Sequence, residues 1–272
     1  FFVAFSGVVG ALIALFVIVF GLTAIFASLD DDTFSNKVKI LSDAQGSRKE
    51  LASSTPVILQ IDIDGVIGSD PITSKKIEEI LLDSREDDFK NERVKGIMLV
   101  INSPGGGANE SDIIYRYLKA YKKRYEVPIY AFVNGLAASG GYYIACAADR
   151  IFTSNVSLVG SIGVVSWPPF FNVTGAMEKF GVDAVTVSAG KGKDLLNPFR
   201  KWGDDEEKHR QAISDFLYKQ FVNVVTANRP IERDEVVKAL GAKVLPAPEA
   251  KEIGLIDNAD CSRNDVLRLL AR

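Results

Sequence analysis

The chain has 272 residues, enough for one large domain or two small ones. At 47% hydrophobic and 25% charged residues it supports a packed core and excludes wholesale disorder, and a net charge of −3 argues against a nucleic-acid-binding surface. Two cysteines, Cys146 and Cys261, exclude a disulfide framework or a Cys-based zinc site, and the single histidine, His209, excludes a His-rich metal site.

From Phe1 to Leu29 there is no charged residue. The run exceeds the roughly 20 residues that cross a bilayer, so a transmembrane anchor is predicted over residues 1–29. A cleavable signal peptide is the rival reading, but its apolar region is shorter, and Ile25-Phe26-Ala27-Ser28 fits a cleavage site poorly. Asp30-Asp31-Asp32 follows, with no basic residue before Lys37, a flank compatible with an extracytoplasmic domain. Residues 30–55 are polar and aperiodic and read as a stalk, and residues 56–272 as one α/β domain.

Within that domain, 57–63 reads as a strand and 74–83 as a helix capped by Thr73 or Ser74. The apolar run 96–101 has the length of a buried strand and leads into a loop at 102–107. Residues 110–123 carry Ile113, Ile114, Tyr117, Leu118 and Tyr121 at helical spacing. A strand is predicted at 127–133, then a Gly/Ala-rich turn passing into a helix over 135–148. Short strands are predicted at 151–153, 162–166 and 184–187, and helices at 204–228, 232–240, 248–253 and 264–270. Strands alternating with helices imply parallel pairing with crossovers.

Two glycine clusters follow predicted strands: Ser103-Pro104-Gly105-Gly106-Gly107 and Ala138-Ser139-Gly140-Gly141. Tight turns alone would explain one of them. Two such loops in one sheet favour backbone N–H groups presented to an anion or oxyanion. There is no GxGxxG and no Gly-Lys-Ser/Thr ending, so phosphate-loop chemistry is lacking. Ser139 lies where the second turn becomes a helix, an exposed place for a nucleophile. A serine nucleophile needs a base. His209 lies in Asp205-Glu206-Glu207-Lys208-His209-Arg210, a charged helical stretch that reads as solvated surface. Lysine can act as base where burial disfavours its charged form. Lys191 and Lys193 lie among glycines and apolar residues in Gly190-Lys191-Gly192-Lys193-Asp194-Leu195-Leu196-Asn197-Pro198-Phe199. On composition alone they also read as ordinary surface-loop lysines.

Together these motifs resemble the SppA family of membrane-anchored signal peptide peptidases, also called protease IV, in its single-domain bacterial form. The resemblance rests on the apolar segment, Asn102 to Gly107, Asn134 to Ala145, Val159-Gly160-Ser161-Ile162-Gly163-Val164, Lys193 with Pro198-Phe199, and the stretch from Ala250 to Asp257. Taken singly the Gly-rich loops recur across Clp-protease and crotonase-like proteins; their order and spacing are specific.

The resemblance implies an α/β fold of the Clp-protease/crotonase type, built of repeated ββα units. It implies a Ser-Lys dyad with Ser139 as nucleophile and Lys193, five residues before Pro198, as general base. Lys191 lacks that spacing. Ser161 matches a serine that orients the base, although a turn serine satisfying backbone groups is the simpler reading of that position. The backbone N–H groups of Gly106 and Gly140 would form the oxyanion hole, and no metal or organic cofactor is implied. The implied function is a serine endopeptidase of the inner membrane that degrades cleaved signal peptides or other extended apolar peptides. Its catalytic domain would be extracytoplasmic and assembled as a homo-oligomeric ring. A crotonase-like acyl-CoA enzyme and a catalytically silent membrane scaffold of the same fold are the alternatives. Neither requires Ser139 or Lys193.

Overall fold

In the computed structural model, residues 40–48, 51–52, 54–166 and 168–272 are described. The segment 1–29 expected to anchor the chain, and most of the stalk, lie outside the described residues. Among the described residues no helix is long and apolar enough to cross a membrane. The compact unit runs from Ser42 to Arg272, so it begins inside the segment read as a stalk. Ser42 and Ala44 are held by the far end of the chain: Arg263 Nη1 donates to the Ser42 carbonyl (3.2 Å) and Arg268 Nη2 to that of Ala44 (3.0 Å).

The first strand, β1 (Val57–Ile67), alternates buried Ile61 and Ile63 with exposed Asp62 and Asp64, the pattern of a half-buried strand. Helix α1 (Ser74–Asp83) follows, with the Thr73 hydroxyl accepting from the Lys76 amide as N-cap. The next strand, β2 (Val94–Gly106), is apolar on both faces, as a central parallel strand must be. Ile97, Leu99 and Ile101 enter the main core, and Met98 enters a second, smaller one. Helix α2 (Ala108–Tyr125), β3 (Ile129–Ala138) and the short α3 (Gly140–Ala145) come next. Then follow β4 (Arg150–Thr153), β5 (Leu158–Gly160), α4 (Thr174–Phe180) and the long α5 (Asp204–Asn228). A π-helical turn at Glu235–Leu240, β6 (Val244–Pro246), α6 (Ala247–Glu252) and α7 (Arg263–Leu270) complete the chain.

The sheet runs β1-β2-β3-β5-β6, with β4 also on β3. All pairs are parallel except β5 with β6. Strand β3 serves two partners in succession: Tyr130 to Val133 pair with β4, and Leu136 to Ala138 pair with β5. One face of the sheet is covered by the main core, to which α1, α2, α3 and α5 contribute Ile77, Leu118, Tyr142 and Val222. On the other face Val266, Leu267 and Leu270 of α7 pack against Met98, Phe132 and Phe152. Gly96 makes room for that helix, since a Cβ there would stand 3.0 Å from Leu270 Cγ.

The mixed α/β, largely parallel architecture agrees with the expectation from sequence, with corrections at several elements, among them β3, which runs on to Ala138 through the expected turn, and α4, which was not expected. The loop expected at 102–107 continues β2, with Gly105 and Gly106 paired to Val66 and Ile67. The strand expected at 162–166 lies earlier, at Leu158–Gly160. Positive φ at Gly160 (129°) and Ser161 (53°) turns the backbone out of extended geometry. The strand expected at 184–187 is absent, because no strand edge among the described residues pairs with it; Val185 and Val187 are 90% and 92% exposed. The antiparallel β6 was not expected, being too short to show a period.

Candidate active site

Because β1, β2, β3 and β5 run parallel, their carboxyl ends gather at one edge of the sheet, where α/β folds place their sites. Register decides which residues meet there. Ile67 pairs with Gly106, Ser103 with Ala137 and Ala138 with Gly160. The residues just past the last pair are Ser139 and Ser161, so sheet pairing brings these two serines side by side.

Ser139 links β3 to α3 with φ 52° and ψ −123°. Side-chain-bearing residues occupy such positive-φ regions at a cost of about 1–3 kcal/mol, and a sharp strand-to-helix turn of this kind projects its side chain outward. The surroundings hold the turn in place. The Ser139 amide donates to the Gly160 carbonyl (2.9 Å), and the Ser139 carbonyl accepts from the Tyr143 amide (3.0 Å). The Ser139 side chain is half-buried and makes no hydrogen bond among the described residues.

Glycine is required beside it. A Cβ on Gly105 would stand 2.7 Å from Ser139 Cβ and 2.9 Å from Gly140 N. One on Gly106 would stand 2.0 Å from the Ile67 carbonyl oxygen, and one on Gly140 would stand 3.4 Å from Gly106 N and 2.3 Å from Ser111 Oγ. The two backbone segments expected to form an oxyanion hole are therefore in contact, next to the free hydroxyl. Gly140 opens α3, so its N–H has no acceptor within the helix. Ser103 braces the glycines from beneath. Its hydroxyl donates to the Gly65 carbonyl (2.6 Å) and accepts from the Gly105 amide (3.1 Å).

Helix α3 is anchored by its tyrosines. The fully buried Tyr142 hydroxyl donates to the Leu255 carbonyl (2.8 Å), and the Tyr143 hydroxyl to Asp112 Oδ1 (2.6 Å). Burial pushes both phenols above the usual range, with the Asp112 carboxylate adding to the effect at Tyr143. Burial also pushes the Cys146 thiol up to about 12. These groups stay protonated and act as struts, not as bases.

Ser161 has φ 53°; its amide donates to the Lys243 carbonyl (2.7 Å), and its half-buried side chain makes no hydrogen bond among the described residues. Lys193 is placed differently. It lies in an irregular segment with an exposed side chain that makes no hydrogen bond or ion pair among the described residues, to Ser139 and Ser161 included. Lys191 is exposed in the same segment. The carboxylate of Asp194 is engaged by Arg200 (Nε to Oδ2, 2.7 Å) and not by its neighbour Lys193. His209 is exposed on α5, as its charged surroundings imply.

Two features had escaped the reading of the sequence. Ser103 carried a signal, a small polar residue opening a Gly-rich run, but its role depends on β1 lying alongside. The Asp194–Arg200–Glu206 network carried none, because its members are spread over an irregular segment and a helix start.

Comparison with known proteins places the chain in a family. The family model described as Peptidase family S49 matches residues 121–271, and the one described as Clp protease matches residues 65–157. A protein of Enterococcus faecium bearing the name signal peptide peptidase SppA is 33% identical over 79% of this chain and 63% of its own length. A protein of Methanocaldococcus jannaschii named as a protease is 35% identical over 70% of this chain and 58% of its own length. Protease 4 of Salmonella typhi is 27% identical over 83% of this chain and 34% of its own length. The chain thus spans about six tenths of the length of the first two relatives. The S49 match covers more than half of the chain and takes in the turn that carries Ser139, so the chain belongs to peptidase family S49.

Proposed function

We propose that this chain is a serine endopeptidase working through a Ser-Lys dyad, anchored by residues 1–29 and a stalk over 30–55, with its catalytic domain over 56–272 on the extracytoplasmic side of a bacterial inner membrane. The observation that carries this reading is the unpartnered Ser139 hydroxyl on a positive-φ strand-to-helix turn, against the backbone of Gly105, Gly106 and Gly140.

In the reaction, the neutral amine of Lys193 takes the Ser139 proton as Oγ attacks a peptide carbonyl. The tetrahedral oxyanion accepts hydrogen bonds from the N–H groups of Gly106 and Gly140; one such donor is typically worth about 3 kcal/mol in the transition state. Protonated Lys193 gives its proton to the leaving amine, and water then hydrolyses the acyl-enzyme with Lys193 as base again. Ser161, beside Ser139 in the sheet register, orients the Lys193 amine by a hydrogen bond.

A lysine base needs a setting that disfavours its charge, and the exposed Lys193 segment acquires one by being covered. We assign the cover to a neighbouring copy in a homo-oligomeric ring. The exposed apolar side chains Phe170, Phe171, Phe180, Val185, Val187 and Phe199 in the segment around Lys193 support that assignment. A ring also encloses the sites and restricts substrates to extended chains. Cleaved signal peptides fit this restriction, and an anchor raises the effective concentration at which a tethered enzyme meets an apolar peptide in the bilayer.

A fluorophosphonate probe tests the proposal. Covalent modification is expected at Ser139 in the detergent-solubilised full chain, with labelling abolished in Lys193→Ala. No label on Ser139, as expected of an acyl-CoA enzyme or a silent scaffold, would refute the reading. A fully active monomer in sedimentation would refute the ring alone.

A further inference from the structure

The segment around Lys193 is exposed and mostly irregular, yet one part of it is tightly bonded. The Glu206 side chain, 9% exposed, takes hydrogen bonds on both oxygens. Oε1 accepts from the Gly203 amide (2.8 Å) and Arg200 Nη1 (2.6 Å), and Oε2 from the Leu196 amide (2.6 Å) and Arg200 Nη2 (3.1 Å). Arg200 also donates from Nε to Asp194 Oδ2 (2.7 Å), from Nη2 to the Asp194 carbonyl (2.8 Å) and from Nη1 to the Lys201 carbonyl (3.0 Å). All five guanidinium N–H groups are thereby used. Two further bonds tie the neighbouring backbone. Trp202 Nε1 donates to the Asn197 carbonyl (2.8 Å), and the Lys193 amide to the Gly190 carbonyl (3.2 Å). The buried Leu196, at φ 55°, is the centre of the turn.

This network does two things for the residue immediately before Asp194. It fastens the backbone that carries Lys193 to the first turn of α5, and it keeps the Asp194 carboxylate occupied. We propose that Arg200 is a positioning residue for the general base: it fixes the turn that carries Lys193 and withholds from Lys193 the carboxylate that would otherwise pair with it and keep it charged. The inference rests on the reading of Lys193 as base. The charged groups of this region include Lys191 and Asp194 on the turn, Arg200 and Lys201 after it, Asp204, Asp205, Glu206 and Glu207 at the start of α5, and on α4 Lys179 and Glu178, the latter pairing with Lys201 (3.0 Å). Asp194 is the acid adjacent to Lys193 in sequence, and among the described residues Arg200 is the side chain that pairs with its carboxylate.

The test uses the full chain with Ser139 and Lys193 intact, reading kcat/KM on a peptide against pH together with the thermal midpoint, in Arg200→Gln, Asp194→Asn and the double variant. Arg200→Gln is expected to lose about 10–100-fold at neutral pH, the range of a misplaced catalytic group. The rising limb of its profile should move to higher pH. Adding Asp194→Asn should return the limb to the wild-type position, a rescue that a merely structural role of Arg200 would not give. If Arg200→Gln does not fold, Arg200→Lys, which keeps a cation and loses the fork, is read the same way. A limb that does not move, or one that moves and is not restored by Asp194→Asn, overturns the proposal. Lys193→Ala, measured alongside, separates the two readings: if it stays active, the dyad itself has failed.

Discussion

Around Ser139 the backbone is hemmed in by parallel strands, with glycines so close that a methyl group has no room, and the residue is held by a hydrogen bond it donates to β5 and one it accepts from α3. Around Lys193 the segment has no strand partner among the described residues, several of its apolar side chains are exposed, and its turn is fastened mainly by one polar knot, Asp194–Arg200–Glu206. The geometry around Ser139, the proposed nucleophile, is thus built by the core of a single chain, at the edge where its strands end. The local turn of Lys193 is set by that knot, whereas its approach to Ser139 and its exclusion from water are, in the proposed reading, assigned to a neighbouring copy. On the proposed reading, a site divided in this way would hold the exposed lysine inactive until the segment is covered, which would suit a peptidase that must not attack folded neighbours.

Substitution at the well-built half should have the largest effect. Ser139→Ala is expected to lower kcat/KM by about 10³-fold or more with an unchanged thermal midpoint, because a methyl group fits the same turn. Activity within tenfold of the wild type would break the comparison at its stronger side. Lys193→Ala and Lys193→Arg should each lose about 10²–10⁴-fold, the usual worth of a positioned general base, since guanidinium does not give up its proton. As the side chain is exposed, the midpoint of the isolated chain should not change.

Gly105→Ala should cost about 100-fold in activity and lower the midpoint as well, because its Cβ would meet Ser139 Cβ at 2.7 Å from a backbone at φ 103°. A normal rate in that variant would show that the turn has slack which the packing does not suggest.

Acid should separate the two regions with a smaller effect. Hydrogen bonds from Arg200, Gly203 and Leu196 lower the Glu206 carboxyl from 4.5 to about 2. A carboxylate lowered on folding contributes stability that is present above its unfolded value and lost as pH falls toward the folded one. The knot should therefore be intact at pH 5 and loosen between about 4 and 2, seen as faster amide exchange at residues 194–206 while β2 and β3 stay protected. Uniform loss across both regions would contradict the division. At the small end, His209→Ala should change neither activity nor stability measurably, because the ring is exposed and bonds to nothing among the described residues.

The difference between the regions also explains how each could be read. The alternation of Ile61, Asp62, Ile63 and Asp64, the unbroken run 96–101 and the helical spacing over 110–123 each bury a face at a period that residue type alone reveals. Ser139 at a strand-to-helix turn was legible for the same reason, as small residues crowd where backbones must touch. Residues 184–187 alternate like a strand but pair with no edge among the described residues, and pairing is not a property of a short segment. Arg200 and Glu206 read as surface charges in a polar stretch; only their convergence on Leu196 and Asp194 gives them a role.

Local periodicity and glycine placement thus determined, from sequence alone, a mostly parallel α/β domain and the turn that carries its serine, because burial period and backbone freedom are properties of neighbouring residues. Tertiary structure decided that Gly105 and Gly106 extend β2 instead of forming a loop, and that Ser161 stands next to Ser139. It also decided that Lys193 lies on an exposed turn held by Arg200. Each of these depends on strand register or on contacts between residues far apart in the chain, which no local pattern encodes.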